Sequence, residues 1–145
     1  MESLKIVLVQ ADLIWHNAPE NRKRFSNKIA QINEDIDAIV LPEMFSTGFS
    51  MQPAEIAETM SGPTVKWMQE MAKDRQVAIL GSLVILENDC FYNRFLFVYP
   101  TGEIKQYNKR HLFTLAGEHK VYTPGKEKTI ITYKGWKICP MVCYD

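Results

Sequence analysis

A carboxylate, an ammonium and a thiol each stand at the end of a predicted strand in this sequence, at Glu43, Lys109 and Cys143. In α/β proteins the carboxyl ends of strands carry groups that contact ligands. A thiol with a reference pKa of about 8.5 is a poor nucleophile at neutral pH until a base or a positive charge favours the thiolate. A glutamate can accept the thiol proton and later protonate a leaving nitrogen, while a lysine can stabilise an oxyanion. Together the three residue types favour hydrolysis of a carbon–nitrogen bond, although each alone is more typical of a solvated loop or a buried cysteine.

The elements that must position these residues alternate between strands and helices in the first half of the chain. Apolar β-branched runs predict a buried strand at residues 5–10 and a second strand at 38–41, which a proline ends. A capping asparagine and a proline at 17–19 predict the start of a helix. Its apolar stripe is formed by Phe25, Ile29, Ile32 and Ile36. A similar signal at 61–64 begins a second helix, which should end near Arg75.

The second half of the chain is predicted to be rich in strands. Turn signals at residues 88–89, 100–102 and 134–135 separate them, and the run 137–143 has the pattern of a last buried strand. Strands and helices in this order predict an α/β fold with helices layered on a sheet. Since there is no repeat or linker composition, we expect one domain over residues 1–145. A final strand with nothing to cover it indicates that part of the fold is missing or supplied by another chain.

Composition excludes several classes of partner. Seventeen basic residues balance seventeen acidic ones, so no field of one sign attracts nucleic acid or anionic lipid. The longest apolar runs are far shorter than the roughly 18 residues of a membrane helix, and no secretory signal leads the first strand. Three cysteines, an odd number, favour a reducing compartment over a disulfide framework. We therefore expect a cytoplasmic protein that acts on a small molecule.

Three ordered motifs resemble those of the nitrilase, or carbon–nitrogen hydrolase, family. Residues 41–45 are similar to its glutamate motif, 107–113 to its lysine motif and 138–145 to its cysteine motif. The resemblance implies an α-β-β-α sandwich that pairs into dimers, here incomplete because family members continue well beyond the cysteine. It also implies that Glu43, Lys109 and Cys143 are the catalytic residues and that no metal or organic cofactor takes part.

The resemblance extends to further site residues. Glu118 corresponds to a second glutamate near the site and would hold Lys109 or orient the substrate amide. The backbone N–H of Tyr144 would share the oxyanion with the lysine. Three more side chains are candidates for the substrate pocket, namely Phe45, Phe49 and Arg110. The arginine would pair with a substrate carboxylate.

Residues 43–50 and 109–119 most resemble the ω-amidase subgroup, which hydrolyses the terminal amide of small 2-oxo dicarboxylic acid monoamides. Alternatives remain open at this point. The same three residues serve nitrile or carbamoyl-amine hydrolysis in other branches, and the chain could be an inactive fragment that needs a complementing chain. A metal or redox site would use Cys139, Cys143, His111 and His119. The two cysteines would lie roughly 13 Å apart along one strand, too far to bind one zinc ion together.

Overall fold

A mixed five-stranded sheet forms the frame of the computed structural model, which describes residues 3–145. Its strands lie in sequence order: β1 (Ile6–Leu8), β2 (Ala38–Val40), β3 (Ala78–Glu87), β4 (Cys90–Val98) and β5 (Ile104–Asn108). The first three are parallel, and β4 and β5 are each antiparallel to the strand before them. As a result β2, β3 and β5 run in the same direction, and their carboxyl ends meet at one edge of the sheet.

Two helices of thirteen residues cover one face of the sheet, α1 (Ala18–Ala30) and α3 (Pro63–Arg75). Helix α1 begins where the Asn17 side chain accepts a hydrogen bond from the backbone N–H of Glu20, as its sequence predicts. A four-residue helix, α2 (Pro53–Ile56), lies between them. None of the helices described for residues 3–145 has the length and apolar character that a membrane crossing requires.

The apolar stripe of α1 is shorter than predicted. Phe25 and Ile29 are buried on the helix, but Ile32 and Ile36 follow its end at Ala30 and pack against the same core from a non-helical segment. Of the intervening residues Asn33, Glu34 and Asp35, the asparagine and the aspartate are poor helix formers. The helix therefore ends, although the apolar residues continue at helical spacing.

All three predicted turns are confirmed. Asn88 and Asp89 both have positive φ between β3 and β4, which suits a tight two-residue hairpin. Gly102, with φ +85°, lies in the turn between β4 and β5. Lys134 and Gly135 join β6 (Ile131–Tyr133) to β7 (Trp136–Ile138), an antiparallel hairpin outside the main sheet.

The hairpin of β6 and β7 packs on the sheet face opposite the helices. Alternate residues of a strand point to opposite faces, so the sheet divides its apolar side chains between two cores. Ile39, Ile79 and Leu96 belong to the core under the helices. A second core under the hairpin contains Ala78, Leu80, Phe95, Phe97, Ile131 and Tyr133.

Two strand predictions are corrected by the structure. The strand expected at residues 137–143 ends at Ile138, because Pro140 lacks the N–H that a ladder requires, and Cys139 and Cys143 are exposed rather than buried. Strand β1 is shorter than the predicted 5–10 and is not buried. It forms an edge of the sheet, where Leu8 is 75% exposed.

Candidate active site

Glu43 is placed by a tight turn that directly follows β2. Met44 has a φ of +44°, and its backbone N–H donates to the Ser82 hydroxyl at 2.9 Å. The N–H of Phe45 donates to the Ser82 carbonyl at 3.2 Å. These bonds anchor the turn to β3, so the glutamate projects from the edge where the parallel strands end.

Phe45 is a core residue, which corrects its prediction as a pocket wall. It is 0% exposed and its ring lies 5.6 Å from that of Phe25 and 5.8 Å from that of Trp67. The turn at Met44 points consecutive side chains in different directions, which could not be deduced from their positions in the sequence. Phe49, four residues after Phe45, lies beside the site, and its ring centroid is 5.5 Å from the Lys109 ammonium.

Lys109 directly follows β5 and is held by backbone bonds on both sides. Its N–H donates to the Asn93 carbonyl, and its carbonyl accepts from the Gly125 N–H, each at 2.9 Å. A Cβ at Gly125 would lie only 2.1 Å from the Asn108 carbonyl oxygen, so the close approach of this segment requires glycine. The lysine side chain is fully buried.

The Lys109 ammonium lies between two carboxylates. Its Nζ is 2.9 Å from Glu43 Oε1 and 3.0 Å from Glu118 Oε2. Burial disfavours the charged lysine, but hydrogen bonds to Glu43 and Glu118 outweigh that effect and raise its pKa above the ordinary value. The group therefore stays an ammonium at neutral pH, as an oxyanion donor must, and cannot serve as a base.

Glu118 is as deeply buried as the lysine it contacts. It begins a short 3-10 helix, Glu118–Lys120, just after Gly117 with φ +80°. Its Oε2 accepts from the Phe113 N–H at 2.6 Å, and its Oε1 accepts from the Asn93 amide at 3.1 Å. Of the two roles expected from sequence, holding Lys109 agrees with this geometry.

Cys143 lies in a turn, with a positive φ of 48° that costs a residue other than glycine about 1–3 kcal/mol. Partial desolvation raises the pKa of its thiol, the negative charge of Glu43 adds to this effect, and Lys109 opposes it. The thiol is therefore protonated at neutral pH, and the nearby Glu43 carboxylate is the candidate acceptor of its proton.

The Asp145 carboxylate fastens this turn to the segment that follows Lys109. Its Oδ2 accepts from the Val142 N–H at 3.0 Å and from the Tyr107 hydroxyl at 2.8 Å. Its Oδ1 accepts from the backbone N–H groups of Arg110 at 3.2 Å and His111 at 2.9 Å. One buried side chain thereby fixes the distance between the thiol turn and the lysine segment.

The hydrogen bond between Tyr107 and Asp145 affects the protonation state of both side chains. Burial opposes the charged aspartate, but the N–H groups of Val142 and His111 and the Tyr107 hydroxyl outweigh it and lower its pKa. Burial and the hydrogen bond to Asp145 raise the pKa of Tyr107 to about 12. The tyrosine therefore remains a donor and the aspartate an acceptor.

Replacing Asp145 with asparagine is expected to lower the free energy of unfolding by about 2 kcal/mol at neutral pH, because an amide nitrogen would face several donors. A lowered pKa stabilises the fold above the unfolded value of about 3.9 and ceases to do so as pH falls through the folded value. The difference between the two proteins should therefore narrow below about pH 4 in urea denaturation. Asp35→Asn, at a fully exposed position, is the control and should change little. An equal loss of unfolding free energy in both variants would contradict the role given to Asp145.

The remaining predicted residues lie near the site without joining its ion cluster. Arg110 lines a cavity of about 220 Å³ together with Tyr107, Met141 and Asp145. The ring of Tyr144 is 56% exposed with its centroid 5.3 Å from that of Phe113. Within residues 3–145, no group of three or more histidine, cysteine or acidic side chains is placed to hold a metal ion.

Two residues of the site had no role in the sequence prediction, Asn93 and Asp145. Asp145 lies within the cysteine motif, so its position in a motif was the available signal, whereas Asn93 lies on β4, between the glutamate and lysine motifs. Their function could not be deduced from residue type, because an asparagine on a strand and an aspartate in a turn are ordinary occurrences.

The family described as Carbon-nitrogen hydrolase matches residues 5–145 of this sequence. The chain belongs to the carbon–nitrogen hydrolase family. A CN-hydrolase superfamily protein of Xanthomonas campestris has a similar structure, with a TM-score of 0.95 and 38% identity, over 99% of this chain and 54% of that one. The predicted family and the nitrilase-like α/β fold are thus confirmed.

Relatives of this carbon–nitrogen hydrolase include two amidases. Omega-amidase YafV of Yersinia enterocolitica is 42% identical over 145 residues, which are 100% of this chain and 56% of that protein. The 2-oxoglutaramate amidase of Bacillus subtilis is 31% identical over 97% of this chain and 55% of its own length. The chain spans about half the length of these relatives. They agree with the predicted resemblance to the ω-amidase subgroup.

Proposed function

We propose that this carbon–nitrogen hydrolase removes the terminal amide of a small 2-oxo dicarboxylic acid monoamide. The observation that carries the proposal is the buried Lys109 ammonium between the carboxylates of Glu43 and Glu118, with Cys143 near enough for the charge of Glu43 to raise the pKa of its thiol. Similarity to an omega-amidase and to a 2-oxoglutaramate amidase supports this substrate class.

In the proposed first half-reaction, Glu43 removes the thiol proton and the Cys143 sulfur attacks the amide carbonyl carbon. The developing oxyanion accepts hydrogen bonds from the Lys109 ammonium and the Tyr144 backbone N–H. The tetrahedral intermediate collapses by breaking the carbon–nitrogen bond. Glu43 returns its proton to the nitrogen, ammonia leaves, and a thioester to Cys143 remains.

Water completes the proposed reaction. Glu43, ionised again, removes a proton from a water molecule that attacks the thioester carbonyl. The carbon–sulfur bond breaks, the thiolate regains the proton, and the carboxylic acid product leaves. All proton transfers use one carboxylate, and no oxidant, metal or organic cofactor enters the balance.

The proposal also covers the location of the protein, the class of its substrate and its oligomeric state. Three free cysteines agree with a cytoplasmic location, and the balanced charge agrees with a small-molecule substrate rather than nucleic acid or a membrane surface. The family resemblance favours a dimer. Arg110 remains a candidate partner for a substrate carboxylate, since its side chain is half-buried close to the Cys143 turn.

Ammonia release from the intact protein tests the substrate class. With 2-oxoglutaramate, glutamine, a small nitrile and an N-carbamoyl amine compared at equal enzyme concentration, we expect kcat/KM to be highest for the 2-oxo monoamide. A site that binds the 2-oxo group should favour it over glutamine by about 10²-fold or more. Faster turnover of the nitrile or the carbamoyl amine would replace the proposed activity with that of another branch of the family.

A further inference from the structure

Asn93 is a buried side chain that, among residues 3–145, has the two acidic residues of the site as its polar partners. It lies on β4 opposite Val84 and is 1% exposed. Its Nδ2 donates to Glu43 Oε1 at 2.8 Å and to Glu118 Oε1 at 3.1 Å. Its Oδ1 has no hydrogen-bond partner in the part of the chain that the structure describes.

A second buried asparagine shows what a purely structural role looks like in the same protein. Asn21 is also 1% exposed, but its Oδ1 accepts from the Ile14 N–H, and its Nδ2 donates to the carbonyls of Ile14 and Ser46. Asn21 therefore ties backbone segments together and has both ends of its amide satisfied. Asn93 ties no backbone segment through its amide and leaves a buried oxygen unpaired, which costs stability. Its contact with the carboxylates is the benefit that offsets this cost.

The orientation of the Asn93 amide follows from its neighbours. Ionised carboxylate oxygens are acceptors only, so the NH₂ group must face Glu43 and Glu118. Glu43 Oε1 then receives two donors, Asn93 Nδ2 at 2.8 Å and Lys109 Nζ at 2.9 Å. Two donors occupy the lone pairs of that oxygen. Oε2 is left as the oxygen of Glu43 that can exchange a proton.

We propose that Asn93 is a positioning residue that, together with Lys109, holds Glu43 Oε1 so that Oε2 faces the Cys143 thiol and the leaving nitrogen. This inference rests on the amidase mechanism proposed above. The Glu43 side chain is 20% exposed, whereas Glu118 and Lys109 are fully buried, so it is the member of the cluster with room to turn away. A second donor on Oε1 prevents that rotation.

The pH dependence of kcat/KM for Asn93→Ala tests this role in the intact enzyme. We expect kcat to fall about 10- to 10²-fold, as for the loss of a group that supports a general base, with KM changed much less. The acid limb of the profile should move to higher pH, because the carboxylate loses a donor. Asn93→Asp, which keeps the shape but replaces the donor with a third negative charge, should move the limb at least as far.

Asn21→Ala is the matched control, since it removes a buried asparagine with hydrogen bonds to the backbone. It should lower the melting temperature without moving the acid limb. An Asn93→Ala enzyme that loses stability but keeps the wild-type acid limb would overturn the positioning role. Should Asn93→Ala be too unstable to assay, an unmoved limb in Asn93→Asp overturns it equally. Failure of the wild-type enzyme to release ammonia from any amide would instead reject the proposed function.

Discussion

Cys143→Ala is expected to abolish amide hydrolysis while leaving the fold nearly unchanged. The sulfur forms the thioester, and no other thiol lies in the turn that faces Glu43, so kcat should fall by at least about 10⁴-fold. Cys143 is exposed, and alanine meets the same positive φ, so the free energy of unfolding should change by less than about 0.5 kcal/mol. Ammonia release and thermal melting of the intact protein measure the two effects.

Cys139→Ala provides the matched control for the nucleophile. Cys139 is likewise exposed and lies four residues earlier in the same segment. It lines the cavity that also contains Arg110 and Met141. The control should keep wild-type turnover and should not prevent labelling of Cys143 by a thiol reagent. Wild-type activity in Cys143→Ala would remove that residue from the mechanism.

Lys109→Ala is expected to damage both catalysis and stability. Loss of an oxyanion donor should lower kcat by about 10²–10³-fold. Removing the ammonium also leaves Glu43 and Glu118 facing one another with no cation between them. Breaking a buried ion pair by deleting one partner costs about 3–5 kcal/mol. Single-turnover ammonia release and urea denaturation at pH 7 measure the two losses separately.

The stability contribution of Lys109 should depend on pH in a defined direction. Its pKa is raised in the folded protein by the two carboxylates, despite the opposing effect of burial. The contribution is therefore complete below the unfolded value of about 10.4 and is lost as pH rises through the folded value. Lys105→Ala on β5, the strand that precedes Lys109, changes a side chain that is 53% exposed and should show neither the loss of kcat nor the loss of stability. A kcat for Lys109→Ala equal to the wild type would contradict the oxyanion role.

Local signals predicted the elements of the fold well because they depend on neighbouring residues. Helix α3 ends at Arg75 as expected, and Asn88-Asp89 and Lys134-Gly135 form hairpin turns in which positive φ suits the asparagine, the aspartate and the glycine. An error arose where an apolar pattern was given more weight than a local signal. Residues 137–143 have the apolar pattern of a strand, yet pairing ends at Ile138, two residues before Pro140.

The sequence predicted less of the active site than of the fold. Glu43, Lys109 and Glu118 could be proposed from motif order, and residue type suggested what each could do. Whether Phe45 or Phe49 would lie beside the lysine depended on a turn at Met44 that Ser82 stabilises from another strand. The roles of the Asn93 amide and the Asp145 carboxylate depend on partners 25 to 50 residues away.

The sequence alone identifies the reactive groups, their order along the chain and the family to which they belong. Folding then encloses Lys109 between two carboxylates, places two donors on one oxygen of Glu43 and fastens the Cys143 turn through Asp145. These contacts act over a longer range than local sequence signals do. Propensity and capping act over a few residues, whereas the hydrogen bond between Lys109 and Glu43 joins positions 66 residues apart through the register of β2, β3, β4 and β5.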